Sequence, residues 1–344
     1  MSQGHLFLVT GGAGFIGSNL VRQLLATDAT VEVIVLDKLT YAGSLRSLAD
    51  LAGEPRLRFI RGDIADRGLV RSILHDAQPD SVVHLAAESH VDRSIAGPDE
   101  FIRTNIVGTF HLLEEVRHYL AEDSHARDAF RFLHASTDEV FGELGPGGHF
   151  VETSPYAPRS PYSASKASSD HLVAAYLHTY GVPAITTNCG NNYGPYQFPE
   201  KLIPVVIANA LAERPLPVYG HGANVRDWIH VADHCAALRA VLAGGRIGER
   251  YLAGARCERT NLEVVHTICD LLDELHPRTA GAYRSLIELV ADRPGHDFRY
   301  AIDPTKLETE LGWRPTIAFA DGLRRTVEWY LAHPAWVAAI ELAR

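Results

Sequence analysis

Tyr162 and Lys166 form a Tyr-x-x-x-Lys pair, which could take a proton from an alcohol. Positions i and i+4 lie on one face of a helix, so the phenol and the ammonium can converge on one point. A nearby cation lowers the pKa of a phenol because it stabilises the phenolate. A phenolate can accept the proton of a hydroxyl group whose carbon loses a hydride. The alternative is an ordinary solvated helix face, where the same spacing occurs by chance.

Asp138 and Glu139 are adjacent carboxyls that follow Ser136 and Thr137. Two carboxyls whose pKa values are driven apart can supply one general acid and one general base. The alternative is a solvated acidic turn without a chemical role.

The elements that would position these groups have clear sequence signals. Pro161 suits the first turn of a helix and Gly181 suits its end, and apolar residues recur at 172, 173, 176 and 177, so residues 161–180 are predicted to be helical. Residues 130–135 (FRFLHA) form a candidate strand just before the acidic pair. The acids are therefore expected at a strand end and the Tyr-Lys pair on a helix.

A glycine cluster follows the first apolar run, with Gly11, Gly14 and Gly17 in a G-x-x-G-x-x-G spacing. Glycine permits a tight turn and lets the backbone approach a pyrophosphate, while the N-terminus of the next helix faces the phosphate charge. Asp37 ends the second apolar run about 20 residues later, where a carboxylate would bind the ribose hydroxyls. This acid would repel a 2′-phosphate, so the motif predicts NAD, although the neighbouring Lys38 weakens that preference.

Two further strand ends are candidates for contacts with the cofactor. Asp63-Ile64 follows the third predicted strand, and Leu85-Ala86-Ala87 follows the fourth. A dinucleotide crosses an open parallel sheet at the carboxyl ends of its strands. Asp63 could instead cap a helix, and the two alanines could be packing spacers.

The order of elements predicts an α/β fold with a Rossmann-like, doubly wound parallel sheet. Predicted strands at residues 5–10, 31–36, 57–60, 81–85 and 130–135 are separated by helical segments, including 68–77 and 105–120. Near residue 188 the sequence becomes rich in Pro, Gly and Tyr. We expect a mainly NAD-binding domain at 1–190 and a smaller C-terminal α/β lobe at 191–344 that binds the substrate, with a soft boundary and possible interleaving.

The bulk composition excludes several classes of protein. The net charge of -10 argues against binding to nucleic acid. The four cysteines form no C-x-x-C pair, which favours reduced thiols over disulfides or zinc, and no metal site is expected. We find neither a signal peptide nor an apolar run long enough to span a membrane, and expect a cytoplasmic protein that does not associate with membranes.

The glycine cluster, Ser136-Thr137 and Tyr162/Lys166 together resemble the extended short-chain dehydrogenase/reductases that act on nucleotide sugars. Residues 136–142 (STDEVFG) resemble the S-T-D-E-V-[YF]-G signature of the dTDP-glucose 4,6-dehydratases. Related 4-epimerases lack the Asp-Glu pair. Other segments similar to this family extend the resemblance over essentially the whole chain: 88–95, 104–109, 188–196, 198–204, 226–231, 293–297 and 311–313.

The resemblance implies conversion of dTDP-glucose to dTDP-4-keto-6-deoxyglucose, with transient oxidation by bound NAD. Tyr162, helped by Lys166, would take the C4 hydroxyl proton. Glu139 would remove the C5 proton, and Asp138 would protonate the departing C6 hydroxide. An epimerase needs only oxidation and reduction at C4, which explains the extra acid and base here.

The resemblance also implies the binding residues, of which the two arginines would neutralise the diphosphate. Thr137 would be catalytic and would contact the sugar, and Pro217 and Tyr219 would lie near the base. The further cofactor contacts would be Phe15, Ile16, Lys38, Thr40, Ser89, Thr104, Tyr162, Lys166 and Asn192. The substrate contacts would be Ser89, Thr137, Asn191, Lys201, Leu202, Pro217, Tyr219, Arg226, Asn261, Arg293 and His296.

Three alternatives to this function remain open. A UDP-sugar 4,6-dehydratase stays open, because the choice of nucleobase rests on the resemblance and no residue that reads the nucleobase is identified. A 4-epimerase is disfavoured by the acidic pair. A non-catalytic NAD-binding regulator could dispense with Tyr162, Lys166 and both acids. The family further suggests a homodimer whose interface is a four-helix bundle built from residues 105–120 and 161–180.

Overall fold

A computed structural model describes residues 5–122, 129–292 and 294–341 of the protein. The strands are β1 Leu6–Thr10, β2 Glu32–Asp37, β3 Leu57–Arg61, β4 Ser81–His84, β5 Arg131–Thr137, β6 Ala184–Cys189, β7 Asn191–Tyr193, β8 Leu216–Tyr219, β9 Val225–His230, β10 Arg250–Ala253, β11 Glu258–Thr260 and β12 Ile287–Val290. The α-helices are α1 Phe15–Thr27, α2 Arg67–Ala77, α3 Val91–Ala96, α4 Asp99–Phe101, α5 Thr109–Glu122, α6 Pro161–Tyr180, α7 Leu202–Leu211, α8 Val231–Gly244, α9 Asn261–Leu275, α10 Thr305–Leu311, α11 Phe319–Ala332 and α12 Pro334–Glu341. Short 3-10 helices lie at Leu45–Leu51, Asp138–Phe141 and Tyr283–Leu286, and a π-helical stretch, Ile102–Gly108, joins α4 to α5.

Seven strands form one parallel sheet in the order β10-β6-β5-β4-β1-β2-β3. The chain runs outward from β1 to β3 and then returns to place β4 on the other side of β1. This reversal leaves a crevice at the carboxyl ends of β1 and β4, which is where open α/β sheets bind ligands. The predicted Rossmann-like, doubly wound fold is confirmed.

Apolar side chains cover both faces of this sheet. One face packs against α1 and α8, and the other against α2, α5 and α6. Burial on both faces explains why strands such as β2 (EVIVLD) are nearly continuous apolar runs, since parallel strands present no face to water.

The helix predicted at 105–120 is longer than expected, because α4, the π-helical stretch and α5 continue without a break. Leu112 and Leu113 are fully buried against the sheet, whereas Val107 is 38% exposed and Ile102 is 46% exposed. The structure thus divides apolar residues that the sequence could not apportion: some cover the sheet, and others face outward.

The C-terminal part builds a second core from α7, α9, α11 and two small sheets, β11-β9-β7 and β12-β8. The chain also crosses back after residue 190. β10 forms an edge of the seven-stranded sheet, and α8 packs against α1. A single cut at residue 190 therefore does not separate the two parts. Within the described ranges, no helix combines the length and apolar character needed to cross a membrane.

Candidate active site

A cavity of about 490 Å³ lies at the carboxyl edge of the large sheet, between the sheet and the C-terminal part. Every site residue predicted from the sequence lines this cavity, except Arg293, which lies outside the described residues. The fold thus gathers into one place residues that are spread from Gly11 to His296.

The glycine turn after β1 leaves no room for side chains. Gly11 has a φ of +73°, and a Cβ there would lie 2.7 Å from the Ala86 backbone nitrogen. A Cβ on Gly17 would lie 2.2 Å from the Gly11 carbonyl oxygen. No side chain caps the start of α1 at Gly14, so the first N–H groups of the helix remain available at the cavity. Such a turn fits the pyrophosphate of a dinucleotide.

Asp37 at the end of β2 is held by backbone donors. Its carboxylate accepts hydrogen bonds from Ala13 N at 2.9 Å and Leu39 N at 2.8 Å. Burial raises the pKa of Asp37, and the two bonds oppose that shift. Lys38 forms an ion pair with Asp63 at 2.9 Å. The cation that weakened the case for NAD is thus engaged by a neighbouring acid, and the residues here fit a dinucleotide without a 2′-phosphate.

The Tyr-Lys pair lies on α6 as predicted, with a Ser160–Ser163 capping box and Pro161 in the first turn. Tyr162 is only 8% exposed, and its backbone N–H is bound by the Ser94 hydroxyl. The Lys166 ammonium donates to the Ala135 carbonyl oxygen at 2.9 Å. Helix α6 is thereby attached to β5 directly behind the acidic pair.

The expected lowering of the phenol pKa by Lys166 is not what the structure shows. Burial, and then the nearby Glu139 charge, raise the pKa of Tyr162 well above its ordinary value, and the hydrogen bond from Thr137 opposes them. Burial also lowers the pKa of Lys166. The reason is desolvation, which in this closed site outweighs the attraction between phenolate and ammonium.

The acidic pair is not a solvated turn. Asp138 is 2% exposed, in the 3-10 turn that follows β5. Burial, and then the Glu139 charge, raise the pKa of Asp138 well above its ordinary value. Glu139 lies beside it and is partly exposed. A buried carboxyl that keeps its proton beside a more exposed one is the division expected of a general acid and a base.

The Thr137 hydroxyl is hydrogen-bonded within the turn that carries the acidic pair. It donates to Asp138 Oδ1 at 3.3 Å and accepts from Glu139 N at 3.2 Å. Thr137 is therefore hydrogen-bonded to both residues of the acidic pair.

The sugar side of the cavity is built from strands, helix ends and loops of the C-terminal part. The Arg226 guanidinium donates to the backbone oxygens of Val225, Asp297 and Phe298 and lies 4.4 Å from the Tyr300 ring centroid. These contacts hold one side of the planar group while the residue lines the cavity. Arg226 is thus a rigidly placed cation, as a diphosphate contact requires.

Two contacts join the halves of the molecule at the cavity. The Lys201 ammonium donates to Ser89 O at 2.7 Å, and the Tyr219 hydroxyl donates to Asp92 at 3.3 Å. The His296 ring contacts the Tyr219 ring edge-on and bonds Asp292 at 2.6 Å. Tyr219, one of the two residues predicted to lie near the base, is therefore placed where both halves meet.

Sequence reasoning missed several cavity residues: Glu88, His90, Glu200, Trp228, His234 and Tyr300. Burial raises the pKa of Glu200 to about 7. The buried His234 bonds the predicted cofactor contact Asn192, with 2.9 Å between Nδ1 and Oδ1. Tyr300 and His234 do not belong to any spaced motif in the sequence, so no sequence signal could have identified them as cavity residues. Glu200 lies beside Lys201, in a segment that the family resemblance already covered.

Comparisons with known proteins agree with this geometry. The sequence model of the family described as GDP-mannose 4,6 dehydratase matches residues 8–326. The chain is 60% identical over 336 residues to a dTDP-glucose 4,6-dehydratase of Xanthomonas campestris pv. campestris (strain B100), covering 97% of this chain and 95% of that one.

Solved structures give the same result. The dTDP-glucose 4,6-dehydratase of Streptomyces venezuelae, solved with NAD bound, is 50% identical with a TM-score of 0.89 and covers 97% of this chain and 99% of its own. A UDP-glucose 4-epimerase of Thermus thermophilus, also with NAD, is 30% identical with a TM-score of 0.83, covering 95% and 99%. The epimerase thus shares the fold with lower identity. The match over almost the whole chain shows that this chain belongs to the family of dTDP-glucose 4,6-dehydratases.

Proposed function

We propose that this chain removes water from dTDP-glucose and releases dTDP-4-keto-6-deoxyglucose, with NAD retained in the cavity. NAD held there would supply the acceptor for the C4 hydride and the donor of the hydride at C6, and the positive charge of its oxidised ring would favour the phenolate form of Tyr162. The glycine turn and Asp37 hold the cofactor. Arg226 and Arg293 hold the diphosphate, together with the other predicted substrate residues.

Three side chains carry out the proton transfers. Tyr162 accepts the proton of the C4 hydroxyl group as C4 loses its hydride, and C4 thereby becomes a ketone. The ketone acidifies C5, and Glu139 removes the C5 proton. Asp138 gives its proton to the C6 hydroxyl, which leaves as water, and Glu139 returns a proton to C5. Lys166 fixes α6 against β5 and contributes positive charge behind Tyr162.

One observation carries this proposal: Asp138 is buried, with a pKa raised well above its ordinary value by burial, while the adjacent Glu139 is partly exposed. An epimerase has no need of a protonated acid at this place. A non-catalytic binding protein has no need of either acid.

The test is Glu139→Gln, with mass spectrometry of the product and the near-ultraviolet absorbance of the reduced nicotinamide. Oxidation at C4 should persist while water loss falls by about 10²- to 10⁴-fold, the usual contribution of a general base. The matched control is Glu143→Gln, since Glu143 is tied to Arg159 and Phe298 N outside the cavity. Water loss at the normal rate in Glu139→Gln contradicts the assigned role.

The nucleobase is tested with UDP-glucose in place of dTDP-glucose. The identity to dTDP-glucose enzymes supports a preference for dTDP. Equal kcat/KM for the two substrates would favour the UDP-sugar alternative.

We also infer a homodimer, in which the outer faces of residues 99–122 and of α6 meet their copies in a four-helix bundle. Ile102, Val107 and Tyr180 expose 46%, 38% and 45% of their surfaces there. Val107→Arg should give a monomer in light scattering. Leu289→Arg, at an equally apolar exposed site on β12, should leave the dimer intact. A dimeric Val107→Arg contradicts this interface.

The cytoplasmic location also remains a proposal. All four cysteines are free thiols, as expected in a reducing compartment.

A further inference from the structure

Lys166 is a buried cation whose charge the proposed reaction needs behind Tyr162. The residue is 4% exposed, and its ammonium donates to the Ala135 carbonyl oxygen at 2.9 Å. That partner is neutral, and burial lowers the pKa of Lys166 because a charged group loses its hydration there. The ammonium form therefore needs a stabilising negative charge from elsewhere in the fold.

Asp170 lies one helical turn after Lys166 on α6 and is only 2% exposed. Positions i and i+4 lie on the same face of a helix. Both side chains reach adjacent residues of β5: Lys166 bonds Ala135, and Asp170 Oδ1 lies 3.1 Å from His134 Nε2. The two opposite charges are thus held between α6 and the sheet, where little water can screen them.

The hydrogen-bond donors around Asp170 are neutral groups. Its Oδ2 accepts from the Tyr156 hydroxyl at 2.9 Å and from the Asn188 amide at 3.4 Å. Burial, and then the Lys166 charge, lower the pKa of His134 to about 4, and His134 Nδ1 has no hydrogen-bond partner among the described residues. A neutral ring that donates from Nε2 agrees with both observations. The negative charge of Asp170 is therefore not cancelled by these partners.

Burial alone would raise the pKa of Asp170, but the hydrogen bond from His134 and the nearby charges lower it overall, so the group is a carboxylate. After burial, the Asp170 charge has the largest influence on Lys166, and it opposes the loss of the Lys166 proton. Burial raises the pKa of Cys189 to about 12, so its neutral thiol adds no charge here.

The other titratable and charged groups around the two residues come from several elements. They are His84 on β4, His134 on β5, Asp138 and Glu139 after β5, Tyr156 before α6, Tyr162 and His171 on α6, Cys189 on β6, Arg250 on β10, and Glu152, His178, Glu249 and Lys306 around the surface cavity that Asp170 borders. The Arg250 guanidinium donates to the Tyr156 hydroxyl.

We propose that Asp170 is a positioning residue whose buried negative charge holds Lys166 in the ammonium form that supports the phenolate of Tyr162. Asp170 does not line the cavity at the carboxyl edge of the sheet, so it acts through Lys166 and not on the substrate. This inference rests on the proposed function, because it concerns how the base of the same site is supported.

The sequence allows a direct test, because it contains only four lysines: Lys38, Lys166, Lys201 and Lys306. Lysine labelled with carbon-13 at Cε gives one NMR signal for each, and the signal missing in Lys166→Met belongs to Lys166. Asp170→Asn removes the charge at nearly constant shape. We expect the pH midpoint of the Lys166 signal to fall by about one unit or more, since the ammonium loses its opposite charge. Asp170→Glu keeps the charge and should restore the midpoint.

The same shift should appear in the kinetics. In Asp170→Asn the alkaline limb of kcat/KM for dTDP-glucose should move to lower pH by the same amount, while the NAD content stays unchanged. The matched control is Asp233→Asn. Asp233 is 4% exposed and binds Thr316 and Ile317 N away from the cavity, so its loss should not move the Lys166 midpoint.

Asp170→Ser removes the same charge if Asp170→Asn does not fold. A Lys166 midpoint that is unchanged in the folded neutral variant overturns the role of Asp170, while the dehydratase function stands. If the unsubstituted protein loses no water from dTDP-glucose, the proposed function fails. The lysine titration needs no substrate, so it still decides whether Asp170 holds the proton on Lys166.

Discussion

The two sides of the cavity hold their functional groups in different ways. On the cofactor side, the backbone sets the site: Gly11 and Gly17 leave no space for a Cβ, and Asp37 is held by two backbone N–H groups. On the sugar side, a long charged side chain reaches the cavity from a strand: Arg226 of β9 is held by three backbone oxygens and by the ring of Tyr300.

The difference shows what each side can tolerate. The backbone of the glycine turn cannot shift without moving the sheet, so one methyl group added there should severely weaken cofactor binding. Side chains that support one another can be weakened one at a time, so substitutions should have graded effects. The cofactor side is common to the dehydratase and the epimerase fold, whereas the sugar side can vary with the substrate.

The largest effect expected from this comparison is that of Gly17→Ala. The new Cβ would lie 2.2 Å from a backbone oxygen that no rotamer change can move. We expect NAD affinity to fall about a thousandfold, or about 4 kcal/mol, in calorimetric titration. Gly97→Ala is the control, because a Cβ there meets no atom within 4 Å. Normal NAD affinity in Gly17→Ala would break the contrast between the two sides.

The second-largest effect is expected from Glu200→Gln, which should change the free energy of unfolding. The pKa of Glu200 is raised to about 7 by burial, from 4.5 in an unfolded chain. The folded protein thus binds this proton more tightly, so its stability is full below about pH 4.5 and falls as the pH rises towards 7. Gln cannot ionise, so the variant should gain up to about 3 kcal/mol over the unsubstituted protein between pH 5 and pH 8.

The gain is measured by urea unfolding at the two pH values without substrate. Glu32→Gln, at the exposed start of β2, is the control. If the gain in stability is the same at both pH values, Glu200 affects stability through packing and not through its charge. Five titratable groups interact with Glu200: Tyr41, Glu88, His90, Arg93 and Lys201.

The smallest expected effect is that of Arg226→Lys. A lysine cannot reproduce the three backbone bonds or the contact with Tyr300. The KM for dTDP-glucose should rise about tenfold, or about 1.4 kcal/mol, while the NAD content stays unchanged. Arg299→Lys is the matched control, since this equally buried arginine binds Glu258 away from the cavity. If Arg226→Lys also released NAD, the two sides would not be independent.

Much of the cofactor side was predictable because its signals are local in the chain. A strand, a glycine turn, a helix and an acid after the next strand follow one another within residues 6–37. The Tyr-Lys pair is equally local, since helical periodicity alone places Tyr162 and Lys166 on one face. The parallel sheet followed from the alternation of apolar runs and helical segments.

Other features were decided by the tertiary structure. The return of β10 to the large sheet depends on pairing with β6, about sixty residues earlier. The places of His234, Glu200 and Tyr300 in the cavity depend on how distant loops meet, which no spacing reveals. The pKa of Tyr162 differed from the expectation because burial cannot be read from two residues four positions apart.

The sequence by itself determined the fold class and the glycine turn and predicted the reacting groups, because these depend on patterns of residues close in the chain. Only the tertiary structure decided that Asp138 is buried while Glu139 is partly exposed, and that the Thr137 hydroxyl lies 3.3 Å from Asp138 Oδ1. The physical reason is that proton affinity and hydrogen-bonded connections depend on solvent exclusion, which is produced by the packing of segments far apart in the sequence.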